Sequence, residues 1–317
     1  MEMHGVLVNN QKGCCQSYEL EKREKERYTN DDIHLLKRKM KTILTIAGSD
    51  TSAGAGIQQD LKTITALGNY ALTVPTALTA QNTLGVKSIM AVPDEVLEAQ
   101  LDAIFEDFHV DAVKIGMIPK LSSAKIIVEK LSSLHVPIVC DPVMVSTSGT
   151  SLMSNECRLF VANNLFPLCS LVTPNIPEAY YLAGISTRER VLASSNNSEG
   201  LVNEKEIEMI GRELSALYKT SLLVKGGHKN DDIMLDTLYM PDGKEFSFSS
   251  NRIETGNLHG TGCTLSSAIA CFLADKNSLP EAIKKSKNII NIGIKNARNM
   301  KLGHGNGPLW IPCLIKN

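Results

Sequence analysis

From Thr42 onward, short β-branched runs alternate with segments whose apolar positions recur every three or four residues, the pattern of strand and helix in a layered α/β domain. TILTIA (42–47) reads as a buried strand, GSDTSAGAG (48–56) as a loop and IQQDLKTITALG (57–68) as a helix ended by Gly68. ALTVPTALTA and VKSIMAV read as further strands. DEVLEAQLDAIFEDF carries Leu97, Leu101, Ile104, Phe105 and Phe108 at helical spacing behind Asp94 as a cap. DAVKIGMI (111–118), LSSAKIIVEKLSSL and VPIVCDPVM (136–144) continue as strand, helix and strand, and SLVTPN (170–175) as a strand ending in a turn. NEKEIEMIGRELSALYK predicts a helix and SLLVKGGH a strand running into glycines. LDTLYMPDGKEFSFSS predicts a hairpin turning at Pro241-Asp242-Gly243, and two helices, from about Cys263 and Leu279, close the domain.

Two stretches interrupt this alternation. Residues 1–40 contain ELEKREKERYTNDD and KRK, whose mixed charges predict a flexible, solvated tail, with a frayed helix as the open alternative. Residues 185–203 are polar and rich in Ser and Asn, and are expected to be a surface insertion in a domain covering 41–317.

Composition narrows the partners. Lys and Arg number 33 against 34 Asp and Glu, so no overall field draws the chain to nucleic acid or to a membrane surface. No apolar run approaches the roughly 18 to 20 residues of a spanning helix, and the N-terminus lacks the apolar core of a signal peptide. The 8 cysteines include no C-x-x-C pair and no zinc spacing with histidines; several sit in apolar runs, where a reduced thiol behaves as a small hydrophobe. A cytoplasmic location is therefore expected.

Candidate chemistry gathers where strands end, as it does in open α/β sheets. In HGTGCT, the residues Gly260, Thr261, Gly262 and Cys263 stand at a helix start, where unpaired amides and a partial positive charge suit an anion. A thiol there is expected to fall from about 8.5 into the range of roughly 3.5 to 7.5 and to serve as a base. A plain glycine turn with a buried cysteine is equally open, and acyl transfer with His259 as the orienting group is a weaker alternative. Asp141 and Glu178 end strands where oxygen ligands could hold Mg²⁺, and Lys225 ends another beside two glycines, able to meet a phosphate as a point charge. GSDTSAGAG fits neither the dinucleotide fingerprint nor a P-loop. Together these parts suit phosphoryl transfer, which depends on alignment and charge neutralisation.

GSDTSAGAGIQQDLKT, TALTAQNT, KIGM, DPVM, TPNIPEA, KGGH and HGTGCTLSSAIA, in this order from about Thr42 to Pro308, closely resemble the hydroxymethylpyrimidine/phosphomethylpyrimidine kinases of thiamin biosynthesis, in the ribokinase-like superfamily. The resemblance implies a mostly parallel central sheet flanked by helices on both faces, a homodimer, and ATP with Mg²⁺ phosphorylating 4-amino-5-hydroxymethyl-2-methylpyrimidine and then its monophosphate. It implies that Gln81 reads the aminopyrimidine and that Gly48, Asp60, Met117 and Val143 line its pocket. Asn175 and Lys225 fall on the nucleotide side, Asp141 and Glu178 in the magnesium region, and Cys263 where most ribokinase-like enzymes have an aspartate base. A pyridoxal kinase of the same fold, and a pyrimidine or nucleotide sensor without turnover, are the competing expectations.

Overall fold

The alternation of residues along the central strands dictates two cores. In β1 (Thr42–Asp50), β4 (Ala112–Ile115), β5 (Ile138–Cys140), β6 (Leu171–Val172) and β7 (Ser221–Val224), successive side chains point to opposite faces. Leu44, Ile46, Val113, Ile115, Ile138, Cys140, Val172 and Leu222 enter one buried cluster, while Ile43, Ala112, Val139, Leu171 and Leu223 enter the other. A sheet apolar on both faces needs helices on both, and has them.

The computed structural model describes residues 39–144, 153–184, 204–226 and 233–312. Nine strands among these residues form one sheet in the order β3-β2-β1-β4-β5-β6-β7-β8-β9. β2 (Tyr70–Asn82), β1, β4, β5, β6 and β7 run parallel. β3 (Gly85–Ala91) joins one edge antiparallel, and the hairpin β8 (Ile233–Tyr239) to β9 (Glu245–Asn251) joins the other, its turn containing Gly243 at φ +82° as the Pro-Asp-Gly signal predicts.

On one face lie α1 (Gly56–Ala66), α7 (Thr261–Ala274) and α8 (Leu279–Ala297). α2 (Asp94–Asp107), α3 (Leu121–Leu131), α4 (Asn155–Phe160), α5 (Ile176–Leu182) and α6 (Glu204–Tyr218) cover the other. α7 is buried almost all round, which its composition foreshadows. Among the described residues no helix is long and apolar enough to cross a membrane.

Several expectations need correcting. Gly48 to Asp50 are not loop: after a register shift at Ala47/Gly48 they continue β1 beside Ala77 to Thr79, so the turn is confined to Thr51 to Ala55. Asp94 is not a cap; Pro93 holds that place and Asp94, the first helical residue, pairs with Lys120 at 2.9 Å. The helical run from Asn155 through the π turn Val161–Leu165 and the 3-10 turn Phe166–Leu168, and α5, have no counterpart among the expected elements. The expected insertion at 185–203 and residues 1–38 of the expected tail lie outside the described residues.

Candidate active site

The parallel strands end along one edge, and a cavity of about 710 Å³ opens there. That size suits a small-molecule site. Its wall includes Gly48, Gln81, Met117, Asp141, Val143, Asn175, Glu178, Lys225 and the run Gly260 to Cys263, so twelve of the thirteen residues named from the sequence meet in one place. Asp60 is the exception.

The helix mouth is shaped by its glycines. Gly260, the N-cap of α7, has φ +86°, and a Cβ there would lie 2.0 Å from the Gly54 carbonyl oxygen, so only glycine lets the two loops interlock. A Cβ on Gly262 would lie 2.9 Å from Asp141 Oδ2 and 3.5 Å from Lys225 Nζ. Backbone amides, an acid and an ammonium thus crowd the same end of the cavity.

Cys263 lines this wall but is not the thiolate expected from its helix position. Burial pushes the thiol up to about 11, against the opposing pull of the Lys114 ammonium; Asp60 and Asp141 add to the rise. A helix N-terminus favours a thiolate only where water or a close cation solvates it, and 9% exposure removes most of the water.

Lys225 Nζ donates to Asp141 Oδ1 at 2.7 Å, and Thr173 Oγ1 donates to the same oxygen at 3.1 Å. Burial works against the Lys225 charge, yet Asp141 and Glu178 outweigh it and raise the group, so Lys225 is an ammonium. Asn175 and Glu178 form a reciprocal cap on α5: Glu178 N donates to Asn175 Oδ1 and Asn175 N to Glu178 Oε2, both at 2.9 Å. The spacing N-x-x-E in TPNIPEA carries this local signal. Burial raises the Glu178 carboxyl to about 7, with Lys225 opposing and Asp141 reinforcing. Two interacting carboxylates at the cavity wall fit a hard divalent cation, whose charge would relieve their burial. Among the described residues no group of three His, Cys, Asp or Glu side chains is placed to hold a metal ion.

At the other end Met117 and Val143 pack with Ala77 and Ile89, and a Cβ on Gly48 would lie 3.0 Å from Met117 Sδ. Asp60 is fully buried and does not line the cavity. Its Oδ2 accepts from Lys114 Nζ at 2.7 Å and Thr45 Oγ1 at 2.6 Å, and its Oδ1 from Ser267 Oγ at 2.8 Å. Sequence reasoning missed Lys114, although a lysine inside the apolar strand AVKI is a visible oddity. It also missed Asp50 as a partner of His259, 2.9 Å away across 209 residues, and the Asp236–Lys287 pair, which also lines the cavity. No local signal marks either pair.

The sequence model of the family described as phosphomethylpyrimidine kinase matches residues 50–310. The chain belongs to the phosphomethylpyrimidine kinase family. It is 38% identical to the hydroxymethylpyrimidine/phosphomethylpyrimidine kinase of Escherichia coli, covering 84% of this chain and 95% of the relative. It is 43% identical over 83% of its length to the thiamine biosynthesis bifunctional protein of Geobacter sulfurreducens, of which it spans 51%. Among solved structures it is similar to an ADP complex of Bacillus subtilis pyridoxal kinase, with TM-score 0.74 and 28% identity over 87% of this chain and 99% of that one. Membership in a kinase family carries the use of ATP with it, and the mostly parallel sheet between helices is the fold of these kinases.

Proposed function

We propose that this kinase phosphorylates 4-amino-5-hydroxymethyl-2-methylpyrimidine and then the resulting monophosphate, with ATP as donor, in thiamin biosynthesis. One observation carries the reading: Gln81, the apolar walls of Met117 and Val143, the amides of Gly260 to Cys263 and the Asp141–Lys225 pair share one cavity. A flat ring calls for apolar walls and one polar reader, and a transferring phosphoryl group calls for fixed donors.

In this mechanism Gln81 orients the ring so that its hydroxymethyl oxygen faces the mouth of α7. The amides of residues 260 to 263 hold the transferring group, and Lys225 neutralises charge on the donor. Asp141 and Glu178 would hold Mg²⁺, which when bound neutralises and aligns phosphate oxygens. Cys263 stands nearest the helix mouth as proton acceptor. Because its thiol is protonated at neutral pH in the ligand-free protein, it acts through a minor thiolate fraction, late in a loose transfer.

A coupled assay of ADP release tests the substrate: turnover is expected with the pyrimidine alcohol and with its monophosphate. The fold likeness to a pyridoxal kinase favours a second reading, and turnover with pyridoxal but neither pyrimidine would establish it in place of the first. Ligand-raised melting without ADP release would mark a sensor. We also propose a homodimer, on the family resemblance, with twice the chain mass expected in light scattering; the described cysteines are free, in keeping with a cytoplasmic site.

A further inference from the structure

The Gln81 amide is held between two partners that together dictate which way round it lies. Its Nε2 is 3.2 Å from His259 Nε2, and its Oε1 is 3.3 Å from Thr79 Oγ1. His259 Nε2 also lies 2.9 Å from Asp50 Oδ2. Asp50 is an ionised carboxylate: Oδ1 accepts from Ser52 N and Oγ, and Oδ2 from Ala55 N, at 2.8 to 2.9 Å. Burial alone would raise its pKa, but His259 and Ser52 outweigh burial and lower it. A carboxylate that close requires the proton of His259 on Nε2, pointing outward. An amide N–H₂ set against that N–H is donor against donor.

The other contact leads to the same conclusion. Thr79 has one hydroxyl proton, and it is donated to Ser49 O at 2.9 Å. Toward Gln81 the hydroxyl is left with lone pairs, so it needs a donor there. A half-turn of the amide, which hardly changes its shape, removes both mismatches at once: Thr79 gains a donor, and the single His259 Nε2–H, directed at Asp50 Oδ2, is shared with the amide oxygen instead of being opposed by an N–H₂.

We infer that His259, held by Asp50, is a positioning residue that locks the Gln81 amide with its oxygen toward His259 and its nitrogen toward Thr79, and so sets which hydrogen-bonding edge the substrate ring must present. The inference rests on Gln81 as the ring reader. In this orientation the free edge of the amide offers an acceptor on the His259 side and a donor on the Thr79 side. A 4-aminopyrimidine matches with its amine toward His259 and its ring nitrogen toward Thr79. His259 adjoins Gly260, so the amine lies on the side of the phosphoryl-holding loop, where the neighbouring hydroxymethyl carbon has to be. A 4-oxo ring presents a carbonyl and an N–H in those places and meets the amide with both contacts reversed. The His259 ring is itself pinned, since a Cβ on Gly54 would come within 2.3 Å of its Cδ2.

The test compares kcat/KM for the 4-amino alcohol and its 4-oxo counterpart in wild type, H259F, H259Q and G54A. Wild type is expected to prefer the amino ring. H259F should lose about tenfold or more of that preference, the size of a misdirected bidentate contact, with KM for ATP near the wild-type value. H259Q, which keeps an N–H for Asp50 and Gln81, should retain most of the preference, and G54A, which pushes the ring aside, should follow H259F. An unchanged preference in folded H259F overturns the inference; if H259F does not fold, G54A decides in the same way. Neutron diffraction from the exchanged protein gives the orientation without any substrate. Deuterons on the Gln81 atom facing Thr79 are expected, and deuterons on the atom facing His259 overturn the lock. A wild type that phosphorylates neither pyrimidine defeats the substrate reading, while the neutron result still decides the lock.

Discussion

Desolvation sets the behaviour of the two titrating groups that matter most. Cys263 is raised to about 11, so if its thiolate takes the proton, kcat/KM of wild type climbs steadily between about pH 7 and 10. C263A is expected to lose about 10²- to 10⁴-fold in turnover and to show a flat profile over that range. A flat wild-type profile would retire the thiol as base and leave the kinase assignment standing. Glu178 lies at about 7, above the 4.5 of an unfolded chain, so it favours folding at acid pH and that contribution is lost as pH rises through 7. E178Q, which can still accept from Asn175 N, is expected to gain about 1–3 kcal/mol at pH 8 while losing turnover. Urea melts and the ADP assay, run side by side, measure both.

The opening of α7 joins a structural glycine to a functional one. At Gly260 the positive φ and the nearness of Gly54 O make alanine strained, so G260A should lose both stability and activity. Gly262 is already within the helix, where alanine gains about 1 kcal/mol of propensity. Its Cβ would press on Asp141 Oδ2, which is bound to Lys225. G262A is therefore expected to melt within a few degrees of wild type while turnover falls; an active G262A would show that the approach of backbone to Asp141 is not needed. On α5, the Asn175–Glu178 box serves the cap and the cavity at once, which explains why a motif readable as helix punctuation also reads as a site.

Across the domain, the Asp60–Lys114 pair ties α1 and β4 to β1 through Thr45 and to α7 through Ser267, with no exposure of either charge. Removing one partner of such a pair strands the other, and D60N is expected to lose about 3–5 kcal/mol in denaturant melts. Joint replacement, D60L with K114M, should recover a good part of it. Lys114 thereby lines the cavity wall with its charge held close enough to act on Cys263 and Asp141. Residues 1–40, whose charged composition cannot supply a core, lie ahead of the family match at 50–310. Their deletion is expected to leave turnover and melting temperature unchanged.

The domain's layers were legible because they follow from local periodicity: Ile43 and Leu44, or Val139 and Cys140, go to opposite cores whatever else the chain does. The glycines of HGTGCT and the strand-end Asp141 and Lys225 were legible for the same reason, since strand ends and helix starts are short-range features; Glu178, expected at a strand end, stands instead in the first turn of α5. Gly48 to Asp50 were misread because their pairing with β2 depends on a bulge that no nearby residue signals. The protonation of Cys263, the burial of Asp60 away from the cavity, and the meeting of Asp50, Gln81 and His259 lay beyond any reading of the chain alone. Periodicity is a property of neighbours in sequence; burial and charge are sums over neighbours in space, and those exist once distant strands and helices have packed.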